Sequence, residues 1–465
     1  MAAGRRQADE SRRGLGAKGR KGPLCFLRTE SQALAGPDRR GVRRVEGPRR
    51  KIRQVPARAK LVVSAMHTGP AVLAPQSGAR RRPWQLSLRD RVVFTTLLVV
   101  AVFGLAETAT TLWSLASSRE PDRYWIFEEP GRTVHFDPVR GVRLTPVASR
   151  WAGIAHGQVQ YVRVLRGNAQ GFHDRDDFSP GRRSAGTRRI AVFGDSFTAA
   201  LFLERSWPDR VEDLLRGRGR DVELLNFSMD GAGLANWWSV LTRLVDAERY
   251  ELDGVVFAVF PPDLRRRFTV TDAQGGGKPT FGRVPSWDPS TYPRSLEEAR
   301  PYLASFPNSY VVSSAEFDGI LRGERRPSRP LRPELTRRLW LGLRQLGRLP
   351  ARDDPEADAR LDDGRRPLIE DMRRVLIARG LPVVVVHVPF RDDLELRRAP
   401  RSPAATRRFA EMLGARLVDG SQAFAGVPRE DIPAYWFQYE GHWNQRGSDR
   451  FAEYIAALLA DWPAR

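Results

Sequence analysis

With 465 residues, 41% of them hydrophobic, the chain can bury a sizeable core and has room for two or three domains, which excludes a peptide or a fibre. Its formal charge is +22, yet residues 1–90 hold 22 Lys and Arg against 6 Asp and Glu, so most of the excess belongs to the amino-terminal stretch. Such a charge does not imply a basic face on a folded domain, and no nucleic acid is expected among the partners.

Residues 1–90 are rich in Arg, Gly, Ala and Pro without an apolar period, the composition of a disordered basic cytoplasmic tail. Met66 offers a second start, so residues 1–65 read either as part of that tail or as sequence ahead of the true start. Next comes a transmembrane candidate over 91–118, with Glu107 as the single charge in VVFTTLLVVAVFGLAETATTLWSLASS. At about 1.5 Å per residue it is long enough to cross a hydrocarbon core of roughly 30 Å once. A buried core helix is the other reading. Arg80, Arg81, Arg82, Arg89 and Arg91 precede the segment. The positive-inside rule then puts everything after it outside the cytoplasm, periplasmic or extracellular, on a single-pass uncleaved anchor. Cys25 is the one cysteine and the six histidines lack ligand spacing, so no metal and no cofactor is expected.

Residues 119–187 read as a linker and lead-in to a domain over 188–465. There, short β-branched runs alternate with helical periods. The strands expected are 189–194, 222–227, 254–260, 382–388 and 415–419, separated by amphipathic stretches such as SWPDRVEDLLRGRG and RPLIEDMRRVLIARG. That alternation predicts an α/β fold, a parallel sheet covered by helices on both faces. It is interrupted at about 264–365 by an Arg- and Pro-rich insertion with one expected helix over 335–349, which packs on its own domain or lies on anionic lipid.

Ligands in such sheets sit outside the carboxyl ends of the strands, and the first strand ends in GDSF. From the residues alone Ser196 is a helix N-cap, part of a phosphate cradle or a nucleophile. After the second strand comes NFSMDGAG, whose glycines allow a backbone N–H to approach a ligand. Before the last amphipathic helix stand Glu440 and His442, in EGHWNQRG.

Together and in this order, VFGDSF (192–197), NFSMDG (226–231) and EGHWNQRG (440–447) resemble the blocks of the SGNH or GDSL family of serine esterases. QGFHDRD (170–176) is similar to the lead-in of its membrane-anchored bacterial members. The resemblance covers roughly residues 161–465. It implies a flavodoxin-like three-layer sandwich around a five-stranded parallel sheet. It also implies Ser196 as nucleophile, the Ser196 and Gly231 N–H groups as oxyanion donors, His442 as base and Glu440 as the acid that orients it. Two departures stand out. Glu440 replaces the usual aspartate, and Pro262 stands where the family's third block has an asparagine donor. One such donor is worth about 3–4 kcal/mol to the transition state. The function expected is a membrane-anchored extracytoplasmic serine esterase acting on an ester-bearing small molecule or glycan. The final block also resembles periplasmic proteins that O-acetylate exopolysaccharides, so an O-acyltransferase is the alternative among enzymes. A non-catalytic envelope scaffold or glycan-binding protein on the same fold is the alternative outside them.

Overall fold

A computed structural model describes residues 87–116, 123–129, 134–274, 277–306, 308–325, 364–396 and 403–460, with positions 327, 335, 336, 339 and 361 between them. All lie in the second of the two units into which the chain divides, Met1–Pro83 and Trp84–Arg465. The expectations for the basic tail through residue 86, and for most of the helix over 335–349, fall outside the described residues. The apolar segment is a helix, Leu88–Ala116, long and apolar enough over Leu88–Trp113 to cross a membrane. Its apolar side chains from Val92 to Trp113 are largely exposed.

In chain order the strands are β1 (Arg123–Glu128), β2 (Val134–His135), β3 (Arg143–Leu144), β4 (Ser149–Ala155), β5 (Gln158–Leu165), β6 (Arg188–Phe193) and β7 (Val222–Asn226). Then follow β8 (Gly254–Val259), β9 (Thr269–Gln274), β10 (Lys278–Arg283), β11 (Ala304–Ser305), β12 (Ser309–Val312), β13 (Val383–His387) and β14 (Arg416–Asp419).

Five of them form a parallel sheet in the order β14-β13-β8-β6-β7. In order along the chain this is 2-1-3-4-5 read from the β7 edge, the flavodoxin-like winding, whose switch point lies between β6 and β8. β8 is buried at every residue, as a central strand covered on both faces must be. The sheet is locked by stacked rings, Phe193 on Phe227 at 5.6 Å and on Phe257 at 5.1 Å. Two groups of helices cover it. Trp207–Arg216 packs on Gln445–Ala460, and Arg365–Ala378 packs on both Leu234–Val240 and Pro403–Leu413.

Residues 119–187 are expected as linker, but β1, β4 and β5 instead join β12 of the insertion in a four-stranded sheet ordered β12-β1-β4-β5. The β4–β5 connection is tight, with His156 at φ 49° and Gly157 at φ 73°, the two left-handed residues of a type I′ turn. β1 obeys the period of two. Tyr124 and Ile126 pack with Phe317 and Ile320 of the helix Ser314–Leu321, while Arg123, Trp125 and Phe127 point to the opposite face. The insertion further supplies β9, β10 and β11, a three-stranded antiparallel sheet ahead of the expected helix over 335–349, where no strand is expected. The four-stranded sheet is hidden from local pattern because β1 and β12 pair across some 185 residues of chain.

Candidate active site

Ser196 follows β6 directly and opens a single helical turn, Ser196–Ala199. The N-cap is Asp195, whose carboxylate accepts from the Phe197 N–H at 2.9 Å, and this releases the Ser196 side chain from the capping role. Ser196 Oγ lies 2.7 Å from His442 Nε2. Glu440 hydrogen-bonds His442 Nδ1 from the other side. Ser196, His442 and Glu440, expected as one constellation, therefore meet across 246 residues of chain. Gly231 follows β7 at φ 68° and lines the same cavity. A Cβ at Gly231 would stand 2.9 Å from the Phe281 ring, so both backbone and space require glycine there.

The histidine loop is held by the residues that follow it. Asn444 Nδ2 donates to the carbonyls of Ala434 and Trp436, and its Oδ1 accepts from the Gly447 N–H. Gly447 packs so closely under Tyr435 that an added Cβ would stand 2.3 Å from the Tyr435 carbonyl oxygen. Trp443 is fully buried against Phe197 and Phe451. His442 itself sits between the rings of Phe197 and Phe202, at 4.8 and 4.4 Å. Burial pushes its imidazole down to about 4, against the opposing pull of the Asp195 and Asp230 carboxylates. At neutral pH it is therefore the free base, the form that can accept a proton from Ser196.

Pro262 lies in the short 3-10 turn Pro261–Arg265, and the cavity wall beside it is Phe260 and Arg266. Arg266 Nη1 donates to Asp195 Oδ2 at 2.9 Å and to the Ala232 carbonyl at 3.0 Å, and stands 2.6 Å from Asp263 Oδ1. Burial alone would lower this guanidinium, but Asp263 and Asp195 outweigh it and hold it raised, so it is a permanent cation. Asp195 Oδ2 is also 3.4 Å from Ser196 Oγ, which leaves the guanidinium two short contacts from the nucleophile.

Three features escape the sequence reading: Arg266, Arg123 and the aromatic wall. Arg123, on β1, pairs with Glu440 and so anchors that carboxylate to the four-stranded sheet. Trp151 Nε1 donates to the Leu201 carbonyl at 3.2 Å, a second tie between that sheet and the Ser196 turn. The spacing of Asp263 and Arg266 is the one local signal available, and it does not set Arg266 apart from Arg265 and Arg267 on either side.

No family model matches the chain. An arylesterase of Vibrio mimicus is 25% identical over 162 residues, 30% of this chain and 81% of that protein. That similarity, with the three blocks, supports an SGNH hydrolase family. Among solved structures, the lipase/acylhydrolase of Enterococcus faecalis is 13% identical, with 58% of this chain and 95% of that one covered at a TM-score of 0.30. AlinE4, an SGNH-hydrolase family esterase, is 14% identical, with 60% and 100% covered at a TM-score of 0.27.

Proposed function

We propose that the chain is a membrane-anchored serine esterase whose Ser196, His442 and Glu440 act as nucleophile, base and orienting acid. The observation that carries this reading is the 2.7 Å approach of Ser196 Oγ to His442 Nε2, with Glu440 on the far ring nitrogen. The similarity to the arylesterase supports an ester-hydrolysing enzyme.

In this reading Ser196 Oγ attacks the ester carbonyl while its proton passes to His442 Nε2. Glu440 keeps the imidazole in the tautomer with Nδ1–H and stabilises the imidazolium that forms. The oxyanion is met by the N–H groups of Ser196 and Gly231. Collapse expels the alcohol, which takes the proton back from His442, and water repeats the sequence on the acyl-enzyme. No step calls on a cofactor.

The helix Leu88–Trp113 supports an anchor by length and composition. The arginines ahead of it argue for a catalytic domain on the extracytoplasmic side. Labelling of the chain by a fluorophosphonate probe, beside a Ser196→Ala control, tests the chemistry. Labelling that survives the substitution removes Ser196 from its role. A carboxyl-terminal reporter active solely in the cytoplasm removes the topology.

A further inference from the structure

A cavity of about 510 Å³ opens beside Ser196 and His442 and runs under the four-stranded sheet. We infer that this cavity takes the acyl group of the substrate, and that the acyl group is a medium-length alkyl chain rather than acetyl. The inference rests on the esterase reading and adds the substrate class to it.

The first argument is the chemistry of the wall. Trp125, Phe127, Trp151, Tyr161, Leu165 and Phe281 line the cavity, with the charged Arg123, Asp230, Arg266 and Arg283 also in its wall. The polar atoms of three of these rings are already engaged. Trp125 Nε1 donates to Tyr161 Oη at 3.1 Å, and Trp151 Nε1 to the Leu201 carbonyl. The rings therefore present carbon to the cavity. Gly153 makes the arrangement possible, since a Cβ there would stand 2.6 Å from the Tyr161 ring. Water held against these rings, unlike water at the charged groups of the same cavity, lacks hydrogen-bond partners, and an apolar group gains by displacing it.

Size is the second argument. Pockets of about 300–1,000 Å³ enclose ligands of drug size, and an acetyl group would leave most of this one unfilled. Direction is the third. His442 must return its proton to the leaving alcohol, so the alcohol departs on the His442 side, where Gly441 and Tyr439 are exposed. Leu165 and Phe172, which also line the cavity, are 3% and 1% exposed, an apolar and buried setting of the kind a terminal methyl group would take. The acyl assignment thus follows from the exit of the alcohol past His442, which leaves the cavity to the acyl group.

The test is kcat/KM for p-nitrophenyl acetate, butyrate, hexanoate and octanoate, which share one leaving group. A filling cavity should raise kcat/KM by up to about fourfold per methylene, roughly 200-fold from acetyl to hexanoyl, and then level off. Thr271→Trp, which places a ring into the cavity from β9, should cut the hexanoyl-to-acetyl ratio by about tenfold or more. Val134→Phe does the same from β2 should the first variant fold poorly. A flat or falling series, with Ser196-dependent fluorophosphonate labelling intact, overturns the inference and leaves the esterase reading standing. So does a rise confined to acetates of longer alcohols. Loss of Ser196-dependent labelling is a different result, which removes the esterase reading and this inference together.

Discussion

The parallel sheet and the four-stranded sheet meet at Ser196, and they contribute different things. The parallel sheet delivers the groups of the proposed chemistry: Ser196 after β6, Gly231 after β7, and His442 just before the helix Gln445–Ala460 that packs beside it. Each is announced by a short run of characteristic residues, because a nucleophile, a close backbone approach and a base have narrow chemical requirements. The four-stranded sheet and the β9–β10 hairpin deliver surface. Their aromatic and aliphatic side chains form the cavity wall and, through Arg123, hold the acid of the triad. Many apolar residues could serve there, so no fixed run marks them. In such a molecule the sheet positions the groups of the proposed chemistry, while selectivity is set by what is built over it.

Breaking the reactive half should cost far more than breaking the surface half. Ser196→Ala is expected to lower kcat on an aryl ester by about 10⁶-fold, read by pre-steady-state and steady-state hydrolysis beside the labelling assay. Glu440→Gln should cost about 10⁴-fold, because the amide no longer stabilises the imidazolium or selects its tautomer. Activity within tenfold of wild type would show that Glu440 has no such role.

Arg266→Met is next, with kcat expected to fall about 100- to 1000-fold at nearly unchanged KM, the cost of one oxyanion donor. A fall of that size would assign the guanidinium to the arm Pro262 lacks, and Pro262→Asn in the intact chain should then give little gain. A double variant, Asp263→Asn with Arg266→Met, keeps the local charge balanced. If it folds and turns over at the wild-type rate, the arginine merely neutralises the buried carboxylates Asp195 and Asp263.

The pH profile sharpens the comparison further. The base acts as neutral imidazole, and burial lowers its pKa, so activity is lost as pH falls through the lowered value, about 4. kcat/KM should hold its plateau through pH 6.5, where an ordinary histidine is half protonated, and fall tenfold per unit below about 4. An acid limb at or above 6.5 would mean that the imidazole is not desolvated. The smallest effect belongs to the surface half. Arg150 ties Glu128 of β1 to Asp318 at 2.7 and 2.8 Å, but its side chain is 35% exposed. Arg150→Ala should therefore lower stability to urea by about 1 kcal/mol or less and leave short-ester turnover within a factor of two.

Much of the reactive half is legible in the sequence. The strands expected over 189–194, 222–227, 254–260, 382–388 and 415–419 appear as β6, β7, β8, β13 and β14, displaced by no more than a residue at either end. Buried parallel strands between amphipathic helices leave an apolar pattern that is strong over short windows. The apolar helix is equally plain, since length and composition decide it. Residues 119–187 show the opposite case. β1 and β5 carry β-forming residues, but strand pairing is settled by a partner, and β12 lies far along the chain inside the insertion.

By itself the sequence marks the residues of the proposed chemistry, because Ser196, Gly231, Glu440 and His442 each sit in a short local setting of the kind that chemistry would demand. Tertiary structure alone decides what surrounds them. Whether Arg266 rather than Arg265 or Arg267 turns toward Asp195 depends on the path of the chain after β8. Whether Trp125, Trp151 and Phe281 enclose one cavity depends on contacts between segments some 155 residues apart, which the entropy of chain closure opposes and packing must overcome. Local pattern encodes the cost of leaving a residue type in water. It does not encode which distant surface will cover it.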